Sequence, residues 1–323
     1  MVFNPNRQSH IWQKSPQGVI LRKIKHFARA VSFYFMQNSS LFSLFMPVAI
    51  GTVMLGLGLS LTPADFRRVL QYPKAVGIAL VCQIIVLPLV CWGIAIFFGL
   101  PPALAVGLML LAASPGGPAA NLYSHLSGGD VALNITLTAV NSLISLFTLP
   151  LIVNLSLAYF MAADDPMTMQ FQKVIEVFAI VLIPVSLGMF IRAKNSVFAL
   201  KMDQSVKIVS ALFLLTVIVL AVFQERTRIV GYVQQAGWAG LTFNLLSLTI
   251  GYFIPKLLGI AQKQAVAIGM EIGIHNASLA IYIALNILKD SRMAVPPALY
   301  GIVMFGTAAL FGYYVKKQQL TIS

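Results

Sequence analysis

The sequence predicts an all-α polytopic membrane protein, with nine or ten transmembrane helices in two inverted five-helix repeats. Three observations carry this. Of the 323 residues, 59% are hydrophobic and only 10% charged, which excludes a soluble globular domain. Apolar runs of about 20 residues, each able to cross a hydrocarbon core of about 30 Å as a helix, recur along nearly the whole chain. They do not alternate as the strands of a closed barrel would. Finally, two of the runs are interrupted by Pro, Gly and polar residues at corresponding places in the two halves.

Residues 1–40 carry Arg7, Lys14, Arg22, Lys23, Lys25 and Arg29 and no acidic residue. No small-residue cleavage site follows a clear apolar core, so this is not read as a signal peptide. It reads as a basic tail, cytoplasmic or lying on anionic lipid; with the 62–74 loop inside, either 27–40 forms a short additional span or the tail is an exception to the positive-inside rule. Spans follow at roughly 41–61, 73–98, 102–126, 130–161, 171–192, 204–223, 236–258, 262–288 and 294–315. With the 62–74 loop inside, eleven basic residues fall on inside loops and five outside, where Asp164 and Asp165 also fall. That satisfies the positive-inside rule and places the C-terminus in the cytoplasm. The net charge of +13 therefore reads as topology and anionic-lipid contact, not as a nucleic-acid surface. The chain divides into the basic stretch 1–40, a first repeat over 41–161 and a second over 162–323. Cys82 and Cys91, nine residues apart on one helix, face opposite ways about 13 Å apart along the axis and cannot bridge.

The first interrupted span contains Ser114-Pro-Gly-Gly-Pro-Ala-Ala-Asn121. Two prolines remove backbone donors and paired glycines weaken the helix between them, so it breaks around 114–121. The second contains Gly269, Glu271, Gly273, His275 and Asn276, with a break around 271–276. Each is preceded by a similar phrase, Gly99-Leu-Pro-Pro-Ala-Leu-Ala-Val106 and Gly259-Ile-Ala-Gln-Lys-Gln-Ala-Val266. A repeat of five spans inverts its copy, and paired broken helices in inverted repeats point to a transporter's binding site.

Glu271 carries the chemistry. The other eight acidic residues lie in loops or near helix ends, which leaves Glu271 as the one carboxylate deep in hydrocarbon. Its burial costs roughly 2.5 kcal/mol or more without compensation, and a bound cation is the simplest compensation. Hard cations prefer oxygen, and Asn121 and Asn276 supply it at the breaks. Asn134, Thr138, Asn141, Ser142 and Ser145 share one helical face of the next span, suited either to an interior ligand or to interhelical hydrogen bonds alone. Gln83 is a further donor in an apolar span.

The runs at 114–121, Gly128-Gly-Asp-Val-Ala-Leu-Asn-Ile-Thr-Leu-Thr138, Glu271-Ile-Gly-Ile-His-Asn276 and Met54-Leu-Gly-Leu-Gly-Leu-Ser-Leu-Thr-Pro-Ala-Asp-Phe66 resemble the bile acid:sodium symporter family, in its bacterial type. The resemblance covers about residues 41–315. It implies a panel domain and a core domain whose broken helices cross, in a multi-pass protein of the bacterial inner membrane. It also implies symport of Na+ with an organic anion, bile-acid-like or a smaller carboxylate, with no obligate protein partner. By position, a first sodium site would use Asn121, Asn134, Thr138, Glu271 and the carbonyl of Ala120. A second would use Gln83, Glu271, the carbonyls of Ile272 and Ile274, and His275, where the family usually has glutamine. His275 would be a neutral substitute ligand or orienter, a proton-carrying group that replaces the second ion, or a packed residue without a coupling role. The anion would sit near Asn276, Ala277, Pro118 and Ala119, at half-helix N-termini.

Rival functions lack their residues. Ser114 with His125 or His275 is the one conceivable nucleophile and base, and no Gly-x-Ser-x-Gly elbow is present. Glu271 and His275 lack a third metal ligand, and crossed broken helices suit alternating access better than an open pore. An H+-coupled organic anion carrier on the same fold is the serious alternative.

Overall fold

The computed structural model describes residues 39–161, 171–202, 205–206, 208–209, 212, 216 and 229–322. The basic stretch before residue 39 and most of the expected 204–223 span lie outside the described residues. The described elements are helical. They run α1 (Ser39–Ser60), α2 (Pro63–Arg67), α3 (Pro73–Val81) continued by a π-helical turn Cys82–Val86 into α4 (Leu87–Phe97), α5 (Pro102–Ala113), α6 (Ala120–Leu126) and α7 (Val131–Phe160). After these come α8 (Phe171–Lys194), α9 (Ile229–Leu257), α10 (Gln262–Gly273), α11 (Ala277–Tyr282) with a π-helical turn Ile283–Ile287, and α12 (Ser291–Ile322).

Among the described residues, five helices are long and apolar enough to cross a membrane, and a sixth if the pair Pro47–Ser60 and Pro63–Leu70, bent by 70°, counts as one span. Both interrupted spans appear as short apolar helices flanking a break. The bend is built by Thr62 and Asp65. The Thr62 N–H and Oγ1 both donate to Asp65 Oδ2, at 2.6 and 2.7 Å, and Arg68 pairs with Oδ1. Two expected boundaries move. α9 covers Ile229–Leu257, which extends the expected 236–258 toward the N-terminus, and α12 runs from Ser291 to Ile322.

Pro47–Ser323 form one compact unit, and α5 and α10 lie at its centre. Every residue of α5 from Ala103 to Ala113 is buried, as expected of a helix apolar all round. Small residues permit this packing, since without a hydrophobic drive between helices in lipid, close backbone approach supplies the contact energy. α5 packs on α7 and α12, and α10 packs on α9, α6 and α7.

The two similar phrases adopt the same backbone at an offset of 160 residues. Gly99 and Gly259 both have positive φ, +58° and +77°, and Pro101 and Ala261 cap the next helix at nearly the same φ and ψ. The hydrogen bonds Leu100 N to Ala95 O and Ile260 N to Pro255 O match, as do Ala105 N to Pro101 O and Ala265 N to Ala261 O. α7 and α12 begin at Val131 and Ser291, again 160 apart.

Candidate functional site at the crossing of two broken helices

The first break follows from local sequence. Pro115 drives the preceding residue out of the helical region, and Ser114 sits at φ −73°, ψ 148°. Its hydroxyl donates back to Leu111 O at 2.7 Å. The chain resumes a helix at Ala120. The second break contains no proline and is made by distant groups. Gly273 O accepts from Tyr300 OH at 2.8 Å and from Asn244 Nδ2 at 3.0 Å, and the Asn276 N–H turns away to Pro115 O at 2.9 Å. α10 therefore ends at Gly273, and Glu271 stands on its last turn instead of inside the break as expected. Asn121 likewise lies in the first turn of α6.

The breaks meet main chain to main chain. The Gly117 N–H donates to Ile274 O at 2.6 Å, and with Asn276 N to Pro115 O this forms a two-rung antiparallel bridge centred on Gly116 and His275. Gly116 lies so close to Glu271 that a Cβ there would overlap its carboxylate.

Around this crossing, side-chain oxygens are left without donors. Glu271 is 2% exposed. Its Oε2 accepts from Thr138 Oγ1 at 2.6 Å; the Gly116 backbone N–H also faces the carboxylate, but Oε1 has no partner in hydrogen-bond geometry. Gln83, presented by the π-helical turn, donates Nε2 to Ser114 O at 3.0 Å, and Asn134 donates Nδ2 to Ala267 O at 2.7 Å. Each amide is thereby oriented with its oxygen unpaired, and Asn121 Oδ1 is unpaired as well. Buried acceptors without donors are rare in native proteins. Four of them lie on Glu271, Asn121, Gln83 and Asn134, one of them anionic, and oxygens of this kind suit a hard cation. Glu271 also borders a small pocket, with room for about one water-sized sphere, lined by Ala79, Leu80, Gln83, Leu137, Asn141 and Ile272.

Of the expected first site, Thr138 and Glu271 are bonded directly. Asn134 lies one turn away on α7, and its carbonyl accepts from Thr138 Oγ1 at 3.1 Å. Ala120 is fully buried at the start of α6. Of the expected second site, Gln83, Glu271 and Ile272 share the pocket, and Ile274 O accepts the Gly117 N–H. His275 is not part of the pocket lining. Its ring packs against Phe243 and Tyr300, with Nδ1 2.9 Å from Tyr300 OH. The phenol proton goes to Gly273 O, which assigns a proton to His275 Nδ1 and leaves Nε2 unpaired.

The residues expected to face an anion are partly committed elsewhere. The Asn276 side-chain oxygen caps α11 by accepting from Leu279 N at 3.1 Å, which leaves its Nδ2 as the donor. The Ala277 N–H donates to His275 O at 3.0 Å. Pro118 has no N–H, and Pro118 and Ala119 form the partly exposed turn before α6. Gly116, Asn244 and Tyr300 were not anticipated. Asn244, an isolated amide within an apolar span, carries the same signal that singled out Gln83.

A buried carboxylate among unpaired oxygens, set where two interrupted helices cross in a multi-pass helical protein, defines a membrane transporter and not an enzyme. The comparisons agree. The model of the Sodium Bile acid symporter family matches residues 47–232, and the chain belongs to that family. It is 26% identical over 319 residues to the uncharacterized sodium-dependent transporter YocS of Bacillus subtilis, covering 93% of this chain and 96% of that protein. It is 26% identical to the probable sodium/metabolite cotransporter BASS1, chloroplastic, of Arabidopsis thaliana over 79% of this chain and 62% of that protein. To the ileal sodium/bile acid cotransporter of Oryctolagus cuniculus it is 23% identical, over 86% of this chain and 80% of that protein.

Proposed function

We propose that this protein is a secondary active transporter of the bacterial inner membrane that symports Na+ with an organic anion by alternating access. The observation that carries the reading is the set of unpaired oxygens around Glu271. Glu271 on α10, Thr138 and Asn134 on α7, and Asn121 on α6 form the first ion site, with Ala120 supplying a carbonyl. Gln83, Glu271 and the carbonyls of Ile272 and Ile274 form a second, and His275 acts there through its neighbours instead of through its ring. YocS, BASS1 and the ileal cotransporter are all named for sodium, which supports this choice of ion. The shared backbone at an offset of 160 residues supports two inverted repeats within 41–161 and 162–323, nine or ten spans in all, with the crossing in a core domain that moves against a panel domain.

Sodium draws oxygens from four elements into two sites that share Glu271. Without the ion, the like partial charges of the carboxylate and the amide oxygens repel. Occupancy cancels that repulsion and fixes the relative positions of the two breaks. Asn276 and Ala119 lie on those breaks, so occupancy also fixes the donors offered to the anion. Coupling follows from this shared geometry. The test is uptake of labelled organic anions, a bile acid and small carboxylates, into proteoliposomes under an inward sodium gradient, a proton gradient or neither. Sodium-driven uptake that Glu271→Gln abolishes is expected. Uptake driven by protons alone, or unaltered in Glu271→Gln, overturns the proposal.

A further inference from the structure

We infer that Asn141 is an additional sodium-handling residue, whose amide oxygen helps to hold the ion bound in the pocket beside Glu271. The inference rests on the sodium reading above and adds a residue to it. Asn141 is 4% exposed and lines the same pocket as Gln83 and Glu271. No hydrogen bond from another described residue reaches its side chain. Its side chain lines the small pocket beside the Glu271 carboxylate, and an amide oxygen in that place is a ligand for a hard cation.

The geometry selects a cation. Asn141 follows Thr138 by three residues on α7, which puts it on the same face about 4.5 Å further along the axis. It is displaced toward the helix's C-terminal end. The neighbouring Ser142 also has an unpaired buried hydroxyl oxygen, so the oxygens continue past Glu271 in that direction. The Glu271 carboxylate borders this pocket and repels an anion, while a sodium ion gains both the carboxylate and the Asn141 oxygen. The polar face of α7 is thus a ladder of rungs, with Asn141 one rung beyond Thr138.

The experiment follows thermal unfolding of the purified full-length protein in detergent as sodium chloride replaces choline chloride at constant ionic strength, so the transported anion need not be known. A ligand that binds the folded state raises its stability with concentration. Asn141→Leu is expected to raise the half-saturating sodium concentration about tenfold, and Asn141→Gln, which keeps the carbonyl, is expected to stay within about threefold of the parent. Should the leucine variant fail to fold, Asn141→Ser decides, with the same rise expected. An unchanged sodium dependence in the variant that removes the amide oxygen overturns the inference while leaving the sodium reading intact. No sodium-specific stabilisation in the parent overturns both.

Discussion

The tightest geometric demand at the crossing falls on Gly116, and replacing it tests the site directly. In Gly116→Ala the new methyl overlaps the Glu271 carboxylate. The backbone at 116 cannot retreat, because Gly117 N and Pro115 O hold it to the second break. The carboxylate must therefore turn, which breaks its 2.6 Å bond from Thr138. A hydrogen bond to a charged group contributes about 1.5–3 kcal/mol. At 1.4 kcal/mol per tenfold change in affinity, the half-saturating sodium concentration should rise by about 10–100-fold. Two substitutions calibrate this. Gly77→Ala, where an added Cβ meets nothing within 4 Å, should leave the sodium dependence unchanged, and Gly117→Ala, which meets His275 O at 3.0 Å, should be intermediate. The assay is tryptophan fluorescence titrated with sodium at constant ionic strength. If Gly116→Ala tracked the parent while remaining folded, the carboxylate would not be an ion ligand and the proposed site would fall.

Other perturbations read other parts of the structure. Thr138→Val removes the hydroxyl at nearly constant volume and should weaken sodium by about tenfold, whereas Thr138→Ser should stay within about threefold; the same titration measures both. Tyr300→Phe removes the group that joins His275 to Gly273 O, and a loss of about 1–3 kcal/mol should lower the thermal midpoint by several degrees. Asp65→Ala strips the acceptor from Thr62 at the 70° bend, and limited proteolysis should then cut faster between residues 60 and 70. Cys82 and Cys91 are both buried and free, so mild oxidant should leave electrophoretic mobility unchanged, and a shift would contradict their placement.

Local chemistry was the part of this architecture that could be read in advance. Pro115 and Pro118 announce the first break whatever the rest of the chain does, and the Gly99 and Gly259 phrases, alike at few positions, prove to share one backbone. The second break was legible only in outline, since Tyr300 and Asn244 bring it about from 27 and 29 residues away. Sequence spacing could not place Glu271 before the break. His275 shows the same limit more sharply. Its position in the motif left a ligand or orienter, a proton carrier and a packed residue all open, and the ring contacts with Phe243 and Tyr300 come from helices distant in sequence. The polar face of α7 was visible as periodicity, but that the Asn134 oxygen lacks a partner depended on the carbonyl of Ala267, which takes its amide.

The bridge between Pro115–Gly117 and Ile274–Asn276 uses no side-chain atoms. Whatever residues drift into the surrounding positions, the fastening itself survives, provided the chain keeps its donors at 117 and 276 and room at 116. A scaffold fastened in this way can be refitted for a different solute by exchanging the groups around the fastening, without a new fold having to be invented for each cargo.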